Sequence, residues 1–144
     1  MAKVLYTAEA TVTGGRAQGH GATSDGQLDV QLRLPKETGG EGDGTNPEQL
    51  FAVGYAACFE GALGAVARRQ KVDPGDVSID SRVSLVTTEE RGFNVAVELH
   101  VSLSDLEGEA AAKLVEAAHG VCPYSNATRG NIDITLTANG QPVG

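Results

Sequence analysis

The chain has 144 residues and a net charge of −8, from 11 basic and 19 acidic side chains, with three tyrosines, three phenylalanines and no tryptophan. A single domain spanning 1–144 can bury a core at this size without disulfide staples, but with so few aromatics the core must be built from Val, Leu, Ile and Ala. The acidic balance argues against partners that bind through their own negative charge, so neither nucleic acid nor an anionic membrane is expected. The first residues carry no apolar run of the kind a secretion signal needs, and the expected compartment is the cytoplasm.

Val4, Tyr6, Ala8, Ala10 and Val12 alternate with more polar residues, which predicts a strand over 3–13. The run from Gly14 to Gly21 reads as a glycine-rich turn or loop. Leu28, Val30, Leu32 and Leu34 alternate again and predict a second strand ended by Pro35. Residues 38–45 are mostly Gly, Thr and acid and read as a mobile loop. Asn46 is a good N-cap, Pro47 a good first helical residue and Glu48 a favourable first-turn acid, so a helix should start here and run to about residue 70. Its apolar stretch, Leu50 to Ala67, contains Glu60 and many small residues and reads as a buried helix, not a membrane span. Gly54, Gly61 and Gly64 each cost this helix roughly 1 kcal/mol relative to alanine, which suggests a close neighbour such as another helix or a partner subunit.

Asp73–Asp76 is a turn. Val77–Thr88 and Phe93–Leu103 read as strands joined by a tight turn at 89–92. Ser104 or Asp105 should cap a second helix that ends near Gly120. Residues 122–129 suit a short helix or turn, and Ile132, Ile134 and Leu136 a last strand. The order β-β-α-β-β-α-β, dominated by hairpin-like connections, predicts an α+β fold with largely antiparallel sheet.

The only two cysteines are Cys58, in Asn-Pro-Glu-Gln-Leu-Phe-Ala-Val-Gly-Tyr-Ala-Ala-Cys-Phe over 46–59, and Cys122, in Cys-Pro-Tyr-Ser-Asn-Ala-Thr-Arg-Gly-Asn over 122–131. Two thiols in an otherwise cysteine-free chain point to redox chemistry, and in a reducing compartment a disulfide between them would be catalytic or sensing. An unperturbed thiol is only about 3% ionised at pH 7, so a reactive one needs help. A cation that lowered the pKa to about 5.5 would raise the thiolate roughly thirtyfold, and an arginine can hold a thiolate on one side and a carboxylate on the other. On the helical wheel Phe51, Gly54, Tyr55, Gly61 and Ala62 share the face around Cys58. Phe51 and Tyr55 offer an apolar wall that suits a hydrophobic hydroperoxide better than hydrogen peroxide. Pro123 after Cys122 can open a new helical turn and place that thiol near a helix N-terminus. The spacing excludes a CxxC motif, so any link between the thiols must be made by the fold.

These two cysteine segments, with the Tyr-Thr-Ala-Glu-Ala-Thr start over 6–11, resemble the signature regions of the organic hydroperoxide resistance proteins, bacterial thiol peroxidases of the OsmC-like superfamily. The resemblance extends over essentially the whole chain. It implies that Cys58 is the peroxidatic cysteine, which becomes a sulfenic acid, and Cys122 the resolving one, which condenses with it to a disulfide. It implies that Arg16 stabilises the thiolate and that Glu48 orients Arg16. It further implies an intertwined homodimer, an organic or fatty-acid hydroperoxide as substrate, a lipoylated protein or dihydrolipoamide as reductant, and no resident cofactor or metal. Ten residues of helix between Glu48 and Cys58 span about 15 Å, too far to meet in one site. The expected site is therefore shared, with Cys58 of one chain meeting Glu48, and Arg16, of the other.

Other readings stand beside this one. An OsmC-like peroxidase with a different oxidant preference, or a redox sensor that uses the same thiols without turnover, would carry the same cysteines. A first-turn glutamate stabilises any helix, whatever else Glu48 does. Glu60 can be exposed, paired or functional. His20, His100 and His119 read as surface or structural residues, and no ligand pair has zinc-type spacing.

Overall fold

The computed structural model describes residues 2–144, which fall into two compact units divided between Leu50 and Phe51. The architecture is α+β. The first unit carries a three-stranded antiparallel sheet in sequence order, β1 (Ala10–Thr13), β2 (Gln18–Thr23) and β3 (Asp29–Arg33), followed by a 3₁₀ turn at Lys36–Thr38. Helix α1 (Pro47–Gln70) begins in this unit and continues into the second without a break. The second unit adds β4 (Val77–Thr87), β5 (Phe93–Leu103), α2 (Gly108–Val121), α3 (Pro123–Thr128), β6 (Ile134–Ala138) and β7 (Gln141–Val143). Its sheet runs β4-β5-β6-β7, with β5 and β6 parallel and the other pairs antiparallel.

The core lies in the second unit. Val97, Leu99, Val101 and Leu103 point inward at the two-residue period of β5, as a strand half-buried on one face requires. Phe59, Leu63, Val66 and Ala67 from α1, and Ala111, Leu114, Val115 and Ala118 from α2, belong to the same buried cluster. Helix α1 is long and apolar enough to cross a bilayer by length and composition, but these residues place one side of it in the core. The Asn46 side chain caps it as expected, accepting the Gln49 amide at 2.9 Å.

Several expectations need correction. The strand expected over 3–13 is regular only from Ala10, and Val4, Leu5 and Tyr6 are about four-fifths exposed. Alternation alone does not make a strand, which also needs a partner edge for its backbone groups. The glycine-rich run is no loop beyond Ala17, since Gly19 and Gly21 lie inside β2, Gly19 paired with β3 and Gly21 with both β1 and β3. A side chain at Gly19 would collide with the Gly15 carbonyl, so the residue that reads as loop is what lets this hairpin close. Residues 38–45 lack regular structure beyond the 3₁₀ turn but are tied by Gly40 and Gly42 amides to the Pro35 and Leu34 carbonyls, and Thr45 bridges Leu32.

The expected cap of α2 is also wrong. The residue before the helix is Glu107, which makes no capping hydrogen bond, and Ser104 Oγ instead accepts the Asp76 amide at 2.7 Å. The end of the chain holds one strand more than expected. Asn139 and Gly140, both with positive φ, turn β6 into β7, an Asn-Gly hairpin signal present in the sequence. The three glycines of α1 do not share one explanation. Gly54 faces Tyr124, whereas an added Cβ would meet nothing within 4 Å at Gly61 and only the Arg68 guanidinium at Gly64 among the described residues.

Candidate active site

The second unit brings the two cysteines together. Cys58 lies midway along α1 and is half-buried, and Cys122 is fully buried. Their sulfurs are 3.6 Å apart, with the Cys122 thiol directed at Cys58. Cys122 is the hinge between two helices. Its amide donates to the Ala118 carbonyl at 2.9 Å and closes α2, while its carbonyl accepts the Asn126 amide at 2.9 Å and opens α3. Its backbone is extended there (φ −60°, ψ 124°), and Pro123 follows at the first helical position, where no amide is needed. Cys122 is thus at a helix N-terminus, as the Cys-Pro pair suggested.

The helix acts on the other thiol, however. Burial pushes the Cys58 pKa up. The Tyr124 amide, in the first turn of α3, hydrogen-bonds the sulfur and pulls it back down, and the neighbouring Cys122 adds a smaller upward push. The net direction is upward. Among the described residues, the influences on Cys58 are burial, the Tyr124 amide and Cys122.

An aromatic group lies around this centre. Phe51 stacks on Tyr124 with ring centres 5.6 Å apart, and Tyr55 meets Phe51 edge-on at 5.8 Å. Tyr55 is fully buried, so within this chain it supports the wall without forming its surface, whereas Phe51 and Tyr124 are only partly covered. Tyr124 fits because residue 54 is glycine. A Cβ there would stand 3.1 Å from the Tyr124 hydroxyl. Sequence reasoning passed over Tyr124 as wall and amide donor. It passed over Ser125 too, which is fully buried and bonded to both Tyr55 and His119. The signal was present, since both residues directly follow Cys-Pro in the quoted segment. His119 bonds Ser125, His20 pairs with Asp29 at 2.6 Å, His100 bonds Thr137 and Glu98, and Glu60 is exposed.

The first unit holds the other expected pair. Arg16 sits in the turn between β1 and β2 and donates twice to Glu48, at 2.9 and 3.2 Å, in the forked geometry that suits guanidinium and carboxylate. Arg16 is about two-fifths exposed and Glu48 about one-sixth. The hydrogen bond to Glu48 holds the Arg16 pKa up, partial desolvation opposes it, and the Glu48 charge adds to the rise. The two residues are 32 apart in the chain and are brought together by the fold of this unit.

Residues 40–137 match the family model described as OsmC-like protein. The chain is 57% identical over 137 residues to an organic hydroperoxide resistance protein of Xanthomonas axonopodis pv. citri, covering 94% of this chain and 95% of that one. It is 50% identical over 133 residues to the organic hydroperoxide resistance protein OhrB of Bacillus subtilis, covering 92% and 96%. The fold superposes on the crystal structure of an organic hydroperoxide resistance protein from Legionella pneumophila with a TM-score of 0.90 at 54% identity, covering 94% of this chain and 98% of that one. The chain therefore belongs to the OsmC-like family and, within it, to the organic hydroperoxide resistance proteins.

Proposed function

We propose that this protein is a cysteine-based peroxidase that reduces organic hydroperoxides to alcohols. The Cys58 thiolate attacks the outer peroxide oxygen. The O–O bond breaks, the alkoxide leaves and takes up a proton, and Cys58 becomes a sulfenic acid. The Cys122 thiol then attacks the sulfenic sulfur, a disulfide forms and water leaves. A dithiol restores both thiols by exchange and is itself oxidised to a disulfide, and a lipoyl group is the reductant we assign. The observation that carries the reading is the 3.6 Å approach of two thiols 64 residues apart, one half-open and one buried. A half-open sulfur can meet a substrate, and a buried one can meet only its neighbour.

The roles of Arg16 and Glu48 belong to the same proposal. The Arg16 guanidinium, held by Glu48, supplies the positive charge that the Cys58 thiolate requires. Because ten helical residues between Glu48 and Cys58 span about 15 Å, we assign that charge to the second chain of a homodimer. Phe51 and Tyr124 form the apolar surface that favours an alkyl or fatty-acyl chain over hydrogen peroxide, with Tyr55 supporting them. A protein that turns over with a cytoplasmic dithiol would work in the cytoplasm.

The test is peroxide consumption with dihydrolipoamide, comparing tert-butyl hydroperoxide with hydrogen peroxide, for wild type and Cys58→Ser. Sustained turnover that prefers the alkyl substrate and vanishes in the variant is the expected result. A single equivalent consumed and then a stall would make the protein a sensor. Turnover indifferent to Cys58 would remove the proposed nucleophile.

A further inference from the structure

Helix α3 has six residues, too short to hold its own position in water. Yet it carries the amide that touches Cys58, and Cys122 precedes it directly. Something outside its own backbone must fix it. Side chains do so through a chain of contacts in which the direction of every proton can be worked out.

The Thr128 hydroxyl donates to the Tyr124 carbonyl at 2.7 Å, so its one proton is committed to the helix backbone. Its contact with the Tyr55 hydroxyl at 3.3 Å is then a hydrogen bond only if Tyr55 donates. With the Tyr55 proton committed, the 2.8 Å contact between Tyr55 and Ser125 requires Ser125 to donate. With the Ser125 proton committed, the 2.8 Å contact between Ser125 Oγ and His119 Nδ1 requires the imidazole to donate. Only this order satisfies all four contacts. It demands a histidine protonated on Nδ1. Tyr55 and Ser125 are fully buried, so a broken chain would leave a polar atom without a partner, and a reversed one would forfeit the Tyr55–Thr128 bond.

We propose that His119 is a positioning residue for the redox centre: by donating from Nδ1 into the Ser125–Tyr55–Thr128 chain, it holds α3, and with it Cys122 and the Tyr124 amide, in register against Cys58. This rests on the peroxidase reading above and names a residue that acts on the disulfide-forming step through its neighbours. Two further features agree. The Arg129 guanidinium donates to the His119 carbonyl and ties the far end of α3 to the same turn of α2. Burial, reinforced by the Arg129 charge, holds the His119 pKa down and keeps the ring in the neutral form, whose single proton the chain assigns to Nδ1.

The consequence is kinetic. Once Cys58 is a sulfenic acid, it either condenses with Cys122, losing water, or is oxidised by a second hydroperoxide to the sulfinic acid while that peroxide leaves as alcohol. Misplacing a reacting group by about 1 Å can slow a step a hundredfold. A loosened α3 therefore shifts the partition towards sulfinic acid.

The test reads that partition by intact mass after treatment with excess tert-butyl hydroperoxide, for wild type, His119→Leu, His119→Asn and Ser125→Ala. Leucine and asparagine have nearly the same shape, but only asparagine can place a polar group where Nδ1 stands. His119→Leu and Ser125→Ala should raise the ratio of sulfinic acid to disulfide roughly tenfold, while His119→Asn stays within about twofold of wild type. If Ser125→Ala fails to fold, Tyr55→Phe, which removes one oxygen, takes its place. Ring nitrogen shifts of wild-type His119 should show the Nδ1–H tautomer. An Nε2–H tautomer overturns the proposal, as does a leucine variant that partitions like wild type or an asparagine variant that behaves like leucine. A wild-type protein that forms no disulfide sinks the peroxidase reading instead, and the tautomer then decides the chain alone.

Discussion

Oxidation of Cys58 and Cys122 to a disulfide should stabilise the protein against unfolding by about 3 kcal/mol, a figure set by two opposing quantities. The cross-link spans 64 residues. Closing a loop of that length in the unfolded chain removes about 14 cal/mol/K of entropy, or about 4 kcal/mol at 25 °C. Against this stands the cost of bringing the sulfurs from 3.6 Å to bonding distance, a closure of about 1.5 Å. Cys122 is walled in while Cys58 is half-open, so the movement falls mainly on Cys58. Turning one side chain some 30° off its rotamer costs about 1 kcal/mol. For a chain of this length the remainder corresponds to a rise in Tm of roughly 6 to 12 °C. The assay is a thermal melt of protein reduced with a phosphine against protein oxidised with one equivalent of alkyl hydroperoxide, at one fixed protein concentration. Cys122→Ser should show no such rise. An oxidised protein that melts at or below the reduced one would mean that closing the bond distorts the native fold by more than the loop entropy contributes, and the estimate of a nearly pre-formed pair would fall.

Other outcomes are equally specific. The His119 pKa is held down in the fold, so its contribution to stability is present above the unfolded value of about 6.5 and is lost as pH falls through the folded one. Urea midpoints should therefore drop below pH 6.5 in wild type, with a shallower slope in His119→Asn. An added Cβ at Gly61 meets nothing within 4 Å among the described residues, so Gly61→Ala should stabilise the monomeric fold by up to about 1 kcal/mol through helix propensity; a loss of stability instead would reveal a partner packed on that face. Asn46→Ala removes the acceptor of the Gln49 amide and should cost about 1 kcal/mol in denaturant melts, with Asn46→Ser restoring most of it. Burial leads the rise in the Cys58 pKa, so its stability contribution is present below the ordinary thiol value and lost as pH climbs through the folded one. Arg16→Ala should expose this slope in alkaline melts, and adding Cys58→Ser should abolish it.

Much of the fold was legible because it is written in local signals. Asn-Pro-Glu over 46–48 marks the start of α1, and the two-residue alternation along 93–103 marks β5, the strand at the heart of the core. The failures share a cause. The early segment has the alternation of a strand but, among the described residues, no strand pairing before Ala10. Gly19 of β2 looks like loop because the close approach that demands it comes from the Thr13 and Gly15 carbonyls across the hairpin. Ser104 looks like a helix cap from its neighbours in sequence, whereas it answers an amide 28 residues away. The site divides in the same way. Both cysteines were visible as residues, and Arg16 and Glu48 through a resemblance, but not that Tyr55 would face inward. Its hydroxyl is committed to Ser125, 70 residues on, and no periodicity on α1 separates an aromatic that meets substrate from one that holds another helix.

The electrostatics of Cys58 explain why such a centre needs two kinds of support. The fold places the sulfur where a second thiol can reach it, and that placement requires partial burial. Burial raises the thiol pKa, and one amide from a six-residue helix offsets only part of the rise. Position and charge thus pull against each other at the nucleophile, and an element that fixes position cannot also supply full ionisation. Arg16 is suited to the second task. It is permanently charged, Glu48 occupies only two of its five donors, and it remains partly exposed in a turn. Glu48 has a second effect, since a guanidinium locked in a fork on a helix-borne carboxylate loses little further freedom when it meets an anion. In the site we propose, a thiol held in place by α3 and charged by a partner chain's arginine would be tuned on each count independently. Substitutions along the His119 chain should then alter what becomes of the sulfenic acid, and substitutions at Arg16 or Glu48 how fast it forms.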